Sequence, residues 1–105
     1  MDSEVYAKLF QALANEIRME LIEALQDGSK SVSELVEATD REQNTVSYHL
    51  RCLTNCGFAE REVRGNKRIY TLNSVILDDL FSTIETHIDN HRQGIYTCEI
   101  LEGEQ

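Results

Sequence analysis

The chain has 105 residues, 41% of them hydrophobic and 28% charged, with a formal net charge of −9; this is the length of one small domain, and the overall acidity argues against nonspecific attraction to nucleic acid. No apolar run approaches the roughly 20 residues of a membrane span, and the start, MDSEVYAKLF, lacks the basic-then-apolar order of a signal peptide, so a cytoplasmic chain with no membrane partner is expected. Three cysteines, an odd number in a compartment that keeps thiols reduced, point to free thiols or metal ligands rather than a disulfide framework.

Residues 4–14 set Val5, Leu9, Ala12 and Leu13 on one helical face. Asn15 is placed to cap a second helix, whose Ile17, Leu21, Ile22 and Leu25 recur at three-four spacing before Gly28 stops it. Ser31 or Ser33 opens a short third helix, with Ser31 and Glu34 at capping-box spacing. Asp40 is read as the cap of a fourth helix over about residues 41–56, ended by Gly57. After Gly57 the period changes. FAEREV and KRIYTLN read as strands joined by RGN, a hairpin over about residues 58–72. Ser74 then opens a long helix over about residues 74–93, with Leu77, Leu80, Phe81, Ile84, Ile88 and His91 on one stripe and Gly94 as its stop. Residues 99–105 read as a short acidic tail with a disordered end.

Four helices, a hairpin and a last helix describe a mainly α protein with a β-hairpin, a winged helix-turn-helix domain over residues 1–98. No later element covers the stripe of the last helix. A homodimer through the first and last helices is therefore expected.

The charge is unevenly spread. Residues 41–68 carry six basic residues, Arg41, Arg51, Arg61, Arg64, Lys67 and Arg68, against three acids, while the rest of the chain is −12. Such an island is either a DNA footprint, since phosphate contact is local, or a solvated strand face. The fourth helix separates these by angle, at about 100° per residue. Val46, Leu50 and Leu53 share one face, with His49 beside them, a position that suits a satisfied core histidine. Asn44, Ser47, Tyr48 and Arg51 lie opposite, and Gln43 is in the first turn. These are residue types that read base edges and phosphates in a major groove. Arg64, Lys67 and Arg68 of the hairpin are placed to meet phosphate or the minor groove.

Cys52 and Cys56 fall on an edge stripe central to neither face, with Cβ atoms about 5–6 Å apart. They are either small buried hydrophobes or two ligands to one soft cation. Cys98, after the last helix, is the one further thiol.

The segments LFQALANEIRMELIEAL, SVSELVEAT and NTVSYHLRCLTNCGFAEREVRGNKRIYTLN, with the last helix, resemble the ArsR/SmtB family of metal-responsive repressors over about residues 5–92. The resemblance implies a dimeric winged helix that leaves double-stranded operator DNA when metal binds. The family's cysteine motif in the third helix is absent from SVSELVEAT, and of its zinc-type site in the last helix only His87 and His91 remain as half of a second metal site. The combination HLRCLTNCG and IYTCEI is similar to the CmtR-type cadmium/lead sensors, which makes Cys52, Cys56 and Cys98 the implied metal ligands. The further N-terminal cysteines of those sensors are missing here. Three thiolates suit Cd(II) or Pb(II), then Hg(II) or As(III), whereas Zn(II) needs a fourth ligand. No organic cofactor is implied. Two alternatives remain: a thiol redox-sensing repressor using Cys98, and a protein-interaction module of the same fold that has lost DNA binding. No nucleophile–base pair or phosphate loop suggests an enzyme.

Overall fold

Asp2 opens the first helix, α1 (Ser3–Leu13), by accepting the backbone N–H groups of Glu4 and Val5. In the computed structural model, which describes residues 1–103, Asn15 caps α2 (Glu16–Leu25) as expected, taking the Arg18 N–H at 3.1 Å. Gly28, at φ 135°, turns the chain after α2; the positive φ there favours a residue without a Cβ.

A strand unforeseen from sequence, β1 (Lys30–Ser31), precedes α3 (Val32–Thr39). Its two residues are too few to show a period. Ser31 and Glu34 form the full capping box. The Ser31 N–H, and then its hydroxyl, hold the Glu34 carboxyl below its usual range. A depressed carboxylate stabilises the fold above its unfolded pKa, so this contribution is present at neutral pH and fades as pH falls through the carboxylate range. Ser31→Ala is expected to cost about 1 kcal/mol in a urea melt.

The next boundary differs from the expected one. Asp40 does not cap the fourth helix; it ends α3 in the left-handed conformation, at φ 55° and ψ 39°, which aspartate tolerates better than most residues. Arg41 is also outside the helix, held by Glu20 of α2 through paired bonds of 3.1 and 2.7 Å. The fourth helix, α4, is Gln43–Asn55; Glu42 stands at its N-cap without a side-chain cap bond, and Cys56 is its C-cap.

The hairpin pairs β2 (Ala59–Arg64) with β3 (Lys67–Leu72) in the register Ala59↔Leu72 to Arg64↔Lys67. Gly65, at φ 64°, makes the tight turn with Asn66. β1 adds to the other edge of β3, so the antiparallel order is β1-β3-β2.

All of this lies in one compact unit, Met1–Ser74. Its fully buried side chains are Leu21, Ile22, Leu35, Val46, Leu50 and Leu53, each worth about 1.5–3 kcal/mol of burial. They join α2, α3 and α4, which makes the helix-turn-helix the centre of the core. Ala12 and Leu13 of α1 are buried as the spacing predicts, but Val5 and Leu9 are not; with Tyr6 and Phe10 they are 39–53% exposed.

The second unit, Val75–Gln105, holds most of α5 (Ser74–Tyr96) and a short α6 (Glu99–Gly103). Gly94 does not stop α5, because its backbone is not among the glycines that turn to positive φ. A glycine inside a helix costs only about 1 kcal/mol relative to alanine. Residues 99–103 of the acidic tail are helical, with Glu99 and Glu102 in the first turn, where the helix dipole favours acids. Glu104 and Gln105, the end expected to be disordered, lie outside the described residues. Along α5, Leu77 is buried while Leu80, Phe81, Ile84 and Ile88 are half-buried. Among the described residues no helix is long and apolar enough to cross a membrane.

Candidate nucleic-acid interface and thiol pair

Helix α4 divides by face. Val46, Leu50 and Leu53 are fully buried and His49 nearly so. Gln43, Asn44, Tyr48 and Arg51 are exposed, and Ser47 is half-buried. Tyr48 is 63% exposed, a large aromatic in water on an otherwise polar face.

The wing continues this surface. Val63, Arg64, Lys67 and Arg68 at its tip are all exposed. Arg64 donates to Glu62 at 3.0 Å, so part of its charge is already answered. Lys67 and Arg68 make no ion pair among the described residues. Between the wing tip and the starts of α3 and α4 lies a polar cleft of about 330 Å³, lined by Ser33, Gln43, Ser47, Asn66, Lys67 and Arg68 among others. Ser33 was expected only as a candidate helix cap, and Asn66 only as part of the wing turn. Their signal was positional: one follows the α3 cap and the other is the hairpin turn.

Cys52, half-buried, and Cys56, exposed, carry free thiols at the C-terminal end of α4. Cys56 is the C-cap, at φ −89° and ψ 2°, so its backbone has already left the helix. Partial desolvation and then the neighbouring Cys52 thiol hold Cys56 above its ordinary pKa, while the Arg18 guanidinium pulls it down. Two thiols one helical turn apart can act together on one soft ion.

Cys98, half-buried and free, sits between α5 and α6 in the second unit, where its carbonyl accepts the Glu102 N–H at 3.3 Å. His87 and His91 on α5 stack with ring centroids 4.3 Å apart. His91 Nδ1 is 3.1 Å from the His87 carbonyl oxygen, which makes Nδ1 the donor. Among the described residues no three His, Cys, Asp or Glu side chains cluster as a metal site. The thiol pair thus fits a soft ion as two of its ligands and does not complete a site by itself.

His49 is tied into the fold. Its Nδ1 lies 3.0 Å from Arg18 Nη1, and because arginine only donates, the imidazole is neutral with its proton on Nε2. Burial, and then the Arg18 charge, lower its pKa, which agrees with that tautomer.

Comparison with known proteins accords with this geometry. Residues 15–61 match the family described as bacterial regulatory protein, arsR family. The chain is 33% identical over 78 residues to the arsenical resistance operon repressor of Bacillus subtilis, covering 73% of this chain and 74% of that protein. It is 29% identical over 98 residues to a probable mercury resistance operon repressor of Streptomyces lividans, covering 93% and 78%. Its fold is similar to that of the homodimeric winged helix-turn-helix DNA-binding domain of Mb0332 from Mycobacterium bovis, with a TM-score of 0.74 and 24% identity over 90% of this chain and 92% of that one.

Proposed function

Since the chain belongs to the ArsR family of bacterial regulatory proteins, we propose that it is a cytoplasmic, metal-responsive transcriptional repressor that binds operator DNA as a homodimer and leaves it when a thiophilic ion is captured. The reading rests above all on the free thiols of Cys52 and Cys56 at the end of the helix whose other exposed face carries Asn44, Ser47, Tyr48 and Arg51. A ligand on the pair acts on the element that would read DNA.

The homodimer accounts for the exposed apolar residues of α1 and the half-buried stripe of α5. A second copy covering them places two α4 helices about one DNA turn apart, as a two-fold operator requires. In each protomer Asn44, Ser47, Tyr48, Arg51 and Gln43 face the major groove. Lys67 and Arg68, with the cleft behind them, hold phosphate, and Arg64 must first give up Glu62.

The effector meets Cys52, Cys56 and a Cys98 thiolate of the dimer. Three sulfurs favour a large soft ion, Cd(II) or Pb(II) before Hg(II), As(III) or Zn(II). His87 and His91 form a separate, weaker pair for a borderline ion such as Zn(II). The raised pKa of Cys56 works against peroxide sensing, because peroxide attacks the thiolate, and it makes metal capture compete with a proton.

Cd(II) titrated into reduced protein should give a sulfur-to-metal absorption band that saturates near one ion per protomer. The pH dependence has a definite sign. A thiol held above its ordinary pKa is protonated at neutral pH, so binding releases protons and weakens in acid. Between pH 8 and pH 6 the affinity should fall by roughly tenfold per pH unit for each thiol that deprotonates on binding, up to about 1000-fold for three. An affinity independent of pH, or saturation without the sulfur band, would exclude thiolate ligation.

A further inference from the structure

Tyr48 is the one large apolar side chain on the exposed face of α4, with 63% of it in water. The other residues of that face, Gln43, Asn44, Ser47 and Arg51, are hydrogen-bonding or charged. Asn44, Tyr48 and Arg51 follow at the i, i+4, i+7 spacing of a single helical stripe. The ring therefore stands between an amide and a guanidinium.

The ring is also held. It meets the His49 imidazole edge-on, with centroids 5.1 Å apart and planes at 82°, an arrangement that aromatic rings favour. His49 is nearly buried, and its Nδ1 accepts from Arg18 Nη1 on α2 at 3.0 Å. Arg18 in turn donates to the Gln11 and Ala12 carbonyls at the end of α1. Tyr48 thus rests against a neighbour fixed by two other helices. An exposed aromatic held in this way gives up little conformational freedom when a partner covers it.

The chemistry of the major groove then selects that partner. Base pairs present donors and acceptors there, which suit Asn44 and Arg51, and one apolar group, the C5-methyl of thymine. Stacking a ring over that methyl removes apolar surface of both from water. Cytosine presents an amine and no methyl, so it offers the ring nothing comparable. We propose that Tyr48 is a specificity-determining residue that reads one thymine in each operator half-site through its C5-methyl, between the polar contacts of Asn44 and Arg51. The inference rests on the operator-binding reading of α4 above and is independent of the effector ion.

The test starts from a duplex that the reduced, metal-free, full-length dimer selects out of random-sequence DNA, with affinities read by fluorescence anisotropy. Its thymines are replaced by deoxyuridine, symmetrically, one position per half-site at a time. This removes the methyl and keeps every hydrogen-bonding group. At one position wild type should lose roughly fourfold in affinity per methyl, about 15-fold for the two half-sites together. Tyr48→Phe should keep that loss. Tyr48→Ala should bind the thymine duplex at least as weakly as wild type binds the uracil one, and should no longer tell the two apart. Its slope of log affinity against log salt should match wild type, because the ring neutralises no phosphate. The side chain is exposed, so its removal should leave the fold intact by circular dichroism. Equal wild-type affinity for thymine and uracil at every position, or a selected duplex with no thymine shared by its half-sites, overturns the inference. Methyl discrimination that survives in Tyr48→Ala also overturns it. Discrimination lost in Tyr48→Phe would assign the contact to the hydroxyl, and a shallower salt slope in Tyr48→Ala would assign it to phosphate; either result overturns it too. Selection of no duplex at all would instead overturn the operator-binding reading on which the inference rests.

Discussion

Replacing Cys52 or Cys56 by serine is expected to abolish cadmium-driven release from the operator while leaving metal-free DNA binding within about threefold of wild type, since serine preserves shape and these thiols flank the polar face of α4. If each cysteine supplies a thiolate to the ion, serine cannot replace it at neutral pH, and its oxygen is a hard ligand that a soft ion does not favour. The loss of cadmium affinity should exceed the roughly 10–100-fold cost of deleting an outer-shell partner, because a ligand itself is removed. At a Cd(II) concentration that saturates wild type, the change in operator affinity should shrink from about 5–150-fold to near unity. Cys98→Ser should show the same loss of release with a weaker loss of metal binding, because the pair remains to hold the ion. Anisotropy titrations on all three variants, read beside the sulfur–cadmium band, separate binding from coupling. Full release in all three would remove the thiols from the mechanism.

Much of the fold was legible because its rules are local. Asn15 and Ser31 cap their helices through side chains one turn away, and the faces of α4 follow from 100° steps along a single element. The misreadings arose where a residue type suits two roles. Asp40 can cap a helix start or take the left-handed turn that ends one, and it does the second. Gly94 can stop a helix or sit inside it at modest cost, and again it does the second. The two-residue β1 exists only because β3 offers an edge, so its own sequence carries no pattern. At the candidate site, the exposure of Tyr48 and Arg51 could be read from angle alone. The bond between Arg18 and His49 joins residues 31 apart in sequence, and no periodicity reports such a pairing. Nor could the basic island reveal that Arg41 and Arg64 are already answered by Glu20 and Glu62.

Those two ion pairs shape the second large effect expected. If α4 reads bases and the wing holds phosphate, Arg51→Ala and Arg68→Ala should both weaken operator binding, but in different ways. A base-reading arginine is worth about 1–3 kcal/mol of discrimination per contact, and the two-fold dimer makes each contact twice. Arg51→Ala should therefore cost about 2–6 kcal/mol on the operator and little on scrambled DNA of equal length. Arg68, with no ion pair among the described residues, should act on phosphate. Its removal should weaken both DNAs alike and reduce the slope of log affinity against log salt by about 2 per dimer. Arg64→Ala should do less than Arg68→Ala, because Glu62 already answers its charge at 3.0 Å and freeing it offsets part of any phosphate contact. Lys67→Ala should follow Arg68→Ala. Salt-series anisotropy on operator and scrambled duplexes separates the two classes. Equal losses for Arg51→Ala on both duplexes would make Arg51 a phosphate contact, and no loss on either would turn the exposed face of α4 away from DNA. The net charge of −9 makes the salt slope the more telling number. A chain this acidic can hold DNA only through a local basic surface, so the measured slope should track Lys67 and Arg68 rather than the charge of the whole chain.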